Sequence, residues 1–449
     1  MKDYSLTKSI TFNDFKKEIL NDYKTIVISR ETSLLGRKEV LSGKAKFGIF
    51  GDGKELPQIA MAKAFRRGDH RSGYYRDQTF MLALNEISVQ QIFSALYANT
   101  DLKKEPMSGG RQMGSHFMSN YIDEKGDFID STQKYNSSAD ISPTSGQMPR
   151  LLGLAMASKL YREGSFNSEN FSNNGNEVAW GTIGNASTSE GPFFEVFNAA
   201  GVHQVPMIIS VWDDEYGISV NNSYQTTKSS ISKALHGFKR DKSNKGFEIY
   251  TVDGWDYQSL IQIYEHSSNF CRENHIPILI HVKNLTQPIG HSTSGSHERY
   301  KNKSRLEWEM KYDCNRKMRE WILDNNLSHL SKIEQIEKDC IEFVKSEKKA
   351  AWDNFQKDII VERDSFIKLI KSLVHQYKSK DLAEIANSLL RLKDLGRKDV
   401  MSAARRSLRL ENSSDFFEKI NNWVSDYKKN TQPFYSSHLY NESKNNYKS

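Results

Sequence analysis

Apolar residues recur at helical spacing from about Thr11 to Ser42, where Phe15, Ile19, Leu20, Tyr23, Ile26 and Val27 are separated by Lys and Glu. Residues three and four apart share one face of a helix, so the pattern predicts a helical N-terminal segment over residues 1–42. From Gly43 to about Lys303 the texture changes to short apolar runs and helical stretches set between Gly, Pro and Ser clusters. Two runs, Glu177-Val-Ala-Trp-Gly-Thr-Ile183 and Val205-Pro-Met-Ile-Ile-Ser-Val-Trp212, predict buried strands, and Glu190 to His203 between them has helical spacing. That is a βαβ unit, with a right-handed crossover and a ligand-binding end at the strands' carboxyl termini. Pro277 to Val282 (PILIHV) predicts a third buried strand, followed by a polar loop. After about Ser304 the chain is charged and helical through Lys393. Its Glu and Lys lie at helical offsets without a sustained heptad, which predicts a helical appendage and not a coiled coil. No internal repeat is found. The chain thus divides into the helical segment 1–42, an α/β domain over 43–325, a helical extension over 326–430, and a flexible tail or truncated linker over 431–449.

Composition narrows the class. A chain of 449 residues allows about three domain-sized units or one large α/β domain with additions. Hydrophobic residues at 37%, charged residues at 27% and a mean hydropathy of −0.67 fit long solvated helices around a smaller core. No apolar run approaches the roughly 18 residues of a membrane span. The N-terminal MKDYSLTKSITFNDFKK lacks an apolar core and carries acids, which predicts neither signal nor transit peptide and a cytoplasmic protein. Cys271, Cys314 and Cys340 are odd in number and form no CxxC pair, against a disulfide framework or a cysteine zinc site. The net charge of +7 comes from lysines interleaved with acids, the pattern of a solvated surface and not of a nucleic-acid binder.

Candidate chemistry concentrates between Gly184 and Ser219. The first strand of the βαβ unit ends at Ile183, a Gly/Ala/Ser turn follows, and a helix begins near Glu190, so backbone N–H groups face an anion-sized space suited to diphosphate. The second strand ends in Asp213, Asp214, Glu215 and Tyr216 beside the same crevice. Phosphate next to carboxylates is repulsive unless a cation lies between them, and Mg²⁺ commonly takes that place. A plain βαβ unit with a polar loop is the alternative from pattern alone.

The segment resembles the thiamine-diphosphate motif of the α subunits of 2-oxoacid dehydrogenase E1 components, where Gly-Asp/Glu-Gly opens and Asn-Asn-x-Tyr-x-Ile-Ser closes. Here the ends read Gly184-Asn185-Ala186 and Asp213-Asp214-Glu215-Tyr216-Gly217-Ile218-Ser219. The family's acidic metal ligand falls on Asn185 and its amide ligand on Asp214, so carboxylate and amide exchange places at the family's 29-residue separation. The earlier Gly51-Asp52-Gly53 lacks that partner, because a methionine, Met81, stands 29 residues on; Asp52 is therefore read as a turn residue. Trp212 stands where many relatives carry a polar or charged residue, leaving the anion to Arg76 and backbone donors.

Other landmarks follow in the family's order. Tyr74-Tyr75-Arg76-Asp77 is similar to the element that grips the diphosphate, a task that suits a guanidinium fork. Ser108-Gly-Gly-Arg-Gln-Met-Gly-Ser-His116 is similar to the segment beside the active-site funnel. Ser142-Pro-Thr-Ser-Gly-Gln-Met-Pro149 is similar to the loop that meets the aminopyrimidine ring. Singly, Arg76 reads equally as a surface ion pair, His116 as a core or capping histidine, and Ser142 as a helix cap. Gln287-Pro-Ile-Gly-His291-Ser-Thr-Ser-Gly-Ser-His297 resembles the family's histidine loop, and Ser292, Ser294 and Ser296 match positions that some relatives phosphorylate.

The resemblance covers roughly residues 15 to 325 and is strongest to bacterial forms with fused α and β parts. It implies a thiamine-diphosphate-type doubly wound parallel sheet with helices on both faces, and an oxidative decarboxylation of a 2-oxoacid, branched-chain favoured over pyruvate or acetoin types. It implies cofactor contacts from Tyr75, Arg76, Ser142, Thr144, Gly184, Asn185, Ala186, Ser187, Asp214 and His291. It also implies Mg²⁺ ligation by Asn185, Asp214 and the Tyr216 carbonyl, and catalytic roles for His291 and His116. The implied partners are a β-type E1 polypeptide in a heterotetramer and the lipoyl domain of an E2 acyltransferase, with no nucleic acid and no membrane. No segment resembles the β part's glutamate that activates the cofactor, so a non-catalytic scaffold is the alternative reading.

Overall fold

The computed structural model describes residues 11–435 apart from 124, 167–168, 243, 294 and 411–413. Of the tail anticipated over 431–449, residues 436–449 lie outside the described residues, as does Ser294. Helix α1 (Phe12–Leu41) starts where the Thr11 hydroxyl accepts the Asp14 N–H at 3.1 Å, and it buries Ile19, Tyr23, Ile26 and Val27.

Six parallel strands make the central sheet: β1 (His70–Ser72), β2 (Asn136–Ser137), β3 (Ala179–Gly184), β4 (Met207–Trp212), β7 (Glu248–Asp253) and β8 (Ile278–Lys283). Between them β5 (Tyr216–Gly217) and β6 (Val220–Asn221) form a small antiparallel hairpin. The sheet order is β2-β1-β3-β4-β8-β7, with Gly184 level with Trp212 and Trp212 level with Val282. Period-two alternation sends Ile208 and Trp212 of β4 to one face and Met207, Ile209 and Val211 to the other. The first face is covered by α1, α2 (Glu55–Ala64), α8 (Tyr257–Asn274) and α10 (Cys314–Asp324). The second is covered by α5 (Met148–Arg162), α6 (Gly191–His203) and α7 (Ile231–Ala234). Both faces are wound with helices, as the resemblance implies.

Short α3 (Gln78–Ala83) and α4 (Val89–Leu96) follow the β1 loop, and α9 (Lys303–Lys311) follows the β8 loop. The long α11 (Leu330–Tyr377) packs its first half on α1 and α4. Its second half joins α12 (Lys380–Leu390), α13 (Arg397–Ser407) and α14 (Ser414–Thr431) around a separate core of Phe366, Ile370, Leu373, Leu382, Val400 and Phe416.

The strand at Val205 starts two residues later than its apolar run. Pro206 has no N–H for the ladder, and its carbonyl instead receives Ala179 N–H at 2.9 Å. Strands β1, β2 and β7 carry no apolar run that marks them: β1 and β2 are two or three residues long, and β7 is a half-exposed edge strand.

Candidate active site

The strand order reverses at β1. The chain leaves β1 for the edge strand β2 and returns on the other side as β3, so a crevice opens between the carboxyl ends of β1 and β3. Tyr74, Tyr75 and Arg76 follow β1 into it. They are held by Asp77, whose carboxylate receives Arg71 at 2.7 and 2.9 Å, Thr182 Oγ1 at 2.5 Å and Trp212 Nε1 at 3.3 Å. Trp212 is therefore turned into the core, with its indole N–H on the Asp77 carboxylate.

Across the crevice, β3 ends in Gly184, whose missing Cβ would stand 3.8 Å from the Tyr74 hydroxyl. Asn185 is buried, its N–H bonds the Trp212 carbonyl at 3.2 Å, and its side-chain Nδ2 has no partner. Ala186 and Ser187 open the 3₁₀ turn that follows.

At the end of β4, Asp213 turns aside to His281 Nε2 at 2.7 Å, whereas Asp214 sits at the centre of the site. Asp214 Oδ2 receives Lys54 Nζ at 2.8 Å and His291 Nε2 at 3.0 Å, and Oδ1 receives the Tyr216 N–H at 3.1 Å. Asn222 N–H closes on the Glu215 carbonyl, so the backbone groups of Tyr216 turn out of the hairpin on the Asp214 side. Burial acts to raise the Asp214 pKa, but His291 and Lys54 overcome it and hold the carboxyl well below the usual range. Burial pushes His291 down. At neutral pH the ring is thus neutral. A carboxylate only accepts, so Nε2 carries the hydrogen and Nδ1 presents a lone pair, buried and without a partner.

The His291 loop is anchored from below. Asp52 accepts Gln287 Nε2 at 2.7 Å and Ile289 N–H at 2.9 Å, and the Gly53 α-carbon fits so closely under the Thr286 carbonyl that a Cβ would stand 2.1 Å from its oxygen. Gly53 also has φ +83°, which a side chain disfavours. Asp52 lies in a turn, as read, but its fully buried carboxylate is a loop anchor, which the turn reading does not contain. Arg76 donates to the Phe50 carbonyl at 2.5 Å and the His291 carbonyl at 3.0 Å, joining the same loop to β1.

On the far side, His116 Nε2 and Ser142 Oγ meet at 3.0 Å, and the His116 ring lies 5.9 Å from Tyr75. Thr144 Oγ1 donates to Glu190 at 3.2 Å, tying this exposed loop to the start of α6. The structure therefore gathers the residues singled out in sequence into two groups. Tyr74–Arg76, Gly184–Ser187, Asp214, Tyr216 and His291 form one, and His116, Ser142 and Thr144, reached through Tyr75, form the other. The unpartnered Asn185 Nδ2 is a buried donor and Arg76, bonded to the His291 carbonyl, is a cation, and both suit an anionic ligand, whereas His291 Nδ1 is left as an acceptor.

Residues 23–359, well over half of the chain, match the family model described as dehydrogenase E1 component. The chain belongs to the dehydrogenase E1 component family. Among curated proteins it is 27% identical over 302 residues to the 2-oxoisovalerate dehydrogenase subunit alpha of Bacillus subtilis, covering 66% of this chain and 79% of that one. It is 22% identical over 337 residues to the pyruvate dehydrogenase E1 component subunit alpha of Rickettsia prowazekii, covering 74% and 91%. The corresponding Rickettsia bellii protein is 25% identical over 199 residues, covering 44% of this chain and 55% of that protein. This E1 component is of the α type found in 2-oxoacid dehydrogenases. Membership implies thiamine diphosphate as the cofactor. Among its described residues no helix is long and apolar enough to cross a membrane.

Sequence reasoning passed over Lys54 and Arg305 of this E1 component. Arg305 bonds Glu215 and Glu309 and donates to the Asp214 carbonyl at 2.8 Å, fixing the backbone that presents Asp214. The available signal for Lys54 was its position, a lone cation between a Gly-Asp-Gly turn and an apolar helix.

Proposed function

We propose that the chain is the α part of a 2-oxoacid dehydrogenase E1 that holds the diphosphate end of thiamine diphosphate in the crevice between β1, β3 and β4. The observation that carries this reading is the convergence of Arg76, Asn185, Asp214 and His291 at the switch point, with two buried polar atoms lacking partners. When bound, thiamine diphosphate supplies the nucleophilic carbon and the electron sink for decarboxylation. The chain's own residues orient and enclose it. Tyr75 and Arg76 flank the crevice, the turn at Gly184–Ser187 offers backbone N–H groups, and Ser142 and Thr144 stand toward the ring side. His291, neutral with a free Nδ1 lone pair, is placed to accept and return a proton during acyl transfer, and His116 lines the substrate side.

A divalent cation fits less well. Asn185, Asp214 and the Tyr216 carbonyl supply suitable ligand types, and the Tyr216 carbonyl faces the right side. Both Asp214 oxygens are nevertheless engaged, and a lysine ammonium already lies 2.8 Å away where a like charge would repel the ion. Among the described residues no group of three or more His, Cys, Asp or Glu is placed to hold a metal.

The remaining parts of the reading are a branched-chain 2-oxoacid as substrate, supported by the Bacillus relative, a β-type polypeptide completing the cleft in a heterotetramer, and acyl transfer to an E2 lipoyl domain. The test is titration of the chain, with a β-type partner, by thiamine diphosphate, followed by turnover of 2-oxoisovalerate and pyruvate. Saturable binding with preference for the branched acid supports it. Binding without turnover of any 2-oxoacid supports the scaffold reading, which Asn185 in place of an acid favours.

A further inference from the structure

The Lys54–Asp214 ion pair lies beneath the crevice. The Lys54 ammonium is surrounded by Asp214 Oδ2 at 2.8 Å, Gln287 Oε1 at 2.6 Å and the Thr286 carbonyl at 3.2 Å. An ammonium has three hydrogens to donate, and these acceptors take all of them. The Lys54 and Asp214 side chains are each 2% exposed. A carboxylate, an amide carbonyl and a main-chain carbonyl are the hard oxygen donors that magnesium or calcium takes, and here they are gathered around a cation attached to the chain. Lys54 also orders the site as an ion does. It joins the end of β4 to the loop that carries His291, and the close fit of Gly53 under Thr286 fixes where Lys54 stands.

The exchange at Asn185 belongs to the same arrangement. An aspartate there has only acceptors and needs a cation between itself and a phosphate, whereas the buried Asn185 Nδ2 is a donor without a partner. Arg76 has committed two of its five N–H groups to backbone carbonyls and keeps the rest of its fork.

We propose that Lys54 is a built-in replacement for the divalent cation, so that this chain binds the diphosphate of thiamine diphosphate without a metal ion. Lys54 neutralises Asp214 and braces the His291 loop, and the phosphate oxygens are received by Asn185, Arg76 and backbone donors. The inference rests on the reading that the crevice takes this cofactor.

The full chain with its β-type partner is dialysed against EDTA and titrated calorimetrically with thiamine diphosphate, with and without MgCl₂. The two wild-type affinities should agree within about threefold. Lys54→Ala should lose about tenfold or more in EDTA, in line with a lost charge-assisted contact, and recover in MgCl₂ as the ion enters the vacated oxygens. Electron paramagnetic resonance with Mn²⁺ should detect a tight ion in Lys54→Ala and none in the wild type. A tenfold loss by the wild type in EDTA, one tight Mn²⁺ per wild-type chain, or undiminished EDTA binding by Lys54→Ala overturns the assignment while leaving the cofactor reading intact. The two wild-type measurements decide even if the variant does not fold. No wild-type binding in any buffer overturns the cofactor reading, and this inference with it.

Discussion

His291 and Asp52 show how two residues of one loop divide positioning from chemistry. His291 gives its Nε2 hydrogen to Asp214, but Asp214 keeps Lys54 and the Tyr216 N–H without it. His291→Ala should therefore leave cofactor affinity within a few-fold while acylation of a lipoyl domain falls about 10²-fold or more, measured by calorimetry and a transfer assay. Lost binding with intact transfer would refute that division. Burial raises the Asp52 carboxyl to about 6, against the pull of Arg30 and the Ile289 N–H. Its folded value lies above the unfolded one, so the folded state holds the extra proton between about pH 4 and 6, and stability falls as pH rises through that window. Asp52→Asn should gain about 3 kcal/mol relative to the wild type between pH 4 and pH 7 in denaturant unfolding. An unchanged difference at the two pH values would show that Asp52 does not titrate there. The family-like residues Tyr75, Arg76, Asp214 and His291 were legible because each sits in a recognisable short motif. Lys54 was not, since its meaning depends on a carboxylate 160 residues away that only folding brings beside it.

At the level of elements, long patterns were readable and short ones were not. The apolar runs at β3, β4 and β8 stand out because both faces of those central strands are buried, and α1 and α11 stand out because their periodicity runs for many turns. Strands β1 and β2 are set by parallel pairing with their neighbours, a non-local cause with almost no local signature. The same logic separates the two halves of α11. Its second half owes its place to the Phe366–Ile370–Leu373 stripe shared with α12, α13 and α14, a core distinct from that of the sheet. Ile370 is fully buried there. Ile370→Ala should cost about 2–5 kcal/mol and lower the melting temperature, with thiamine diphosphate affinity of the folded protein unchanged. Equal losses of stability and affinity would show the helical core and the crevice to be one unit.

Across the whole molecule, the helical extension reaches back to the loop that leads to His116. Arg111, in the loop before His116, donates to the carbonyls of Pro433 and Phe434, and Arg397 of α13 stacks on the Phe434 ring at 4.9 Å. The sequence placed these segments far apart and offered no sign of the contact. On the proposed half-site reading, the acid for the cofactor's ring comes from a partner. Glu190, at the start of α6, is engaged by Thr144, and Glu195 lies on the same helix. In the family the chain resembles, that glutamate comes from the β part, and thiamine diphosphate needs it to become a nucleophile. The chain alone should accordingly show no decarboxylation of a branched-chain 2-oxoacid with an artificial electron acceptor, and adding a β-type polypeptide should switch turnover on. Because the expected interface is of the large, apolar, obligate kind, the chain alone should also self-associate, and the partner should convert it to a defined complex on a sizing column. Robust turnover by the chain alone would mean that it carries its own activating acid, and the crevice would then be a complete site and not half of one.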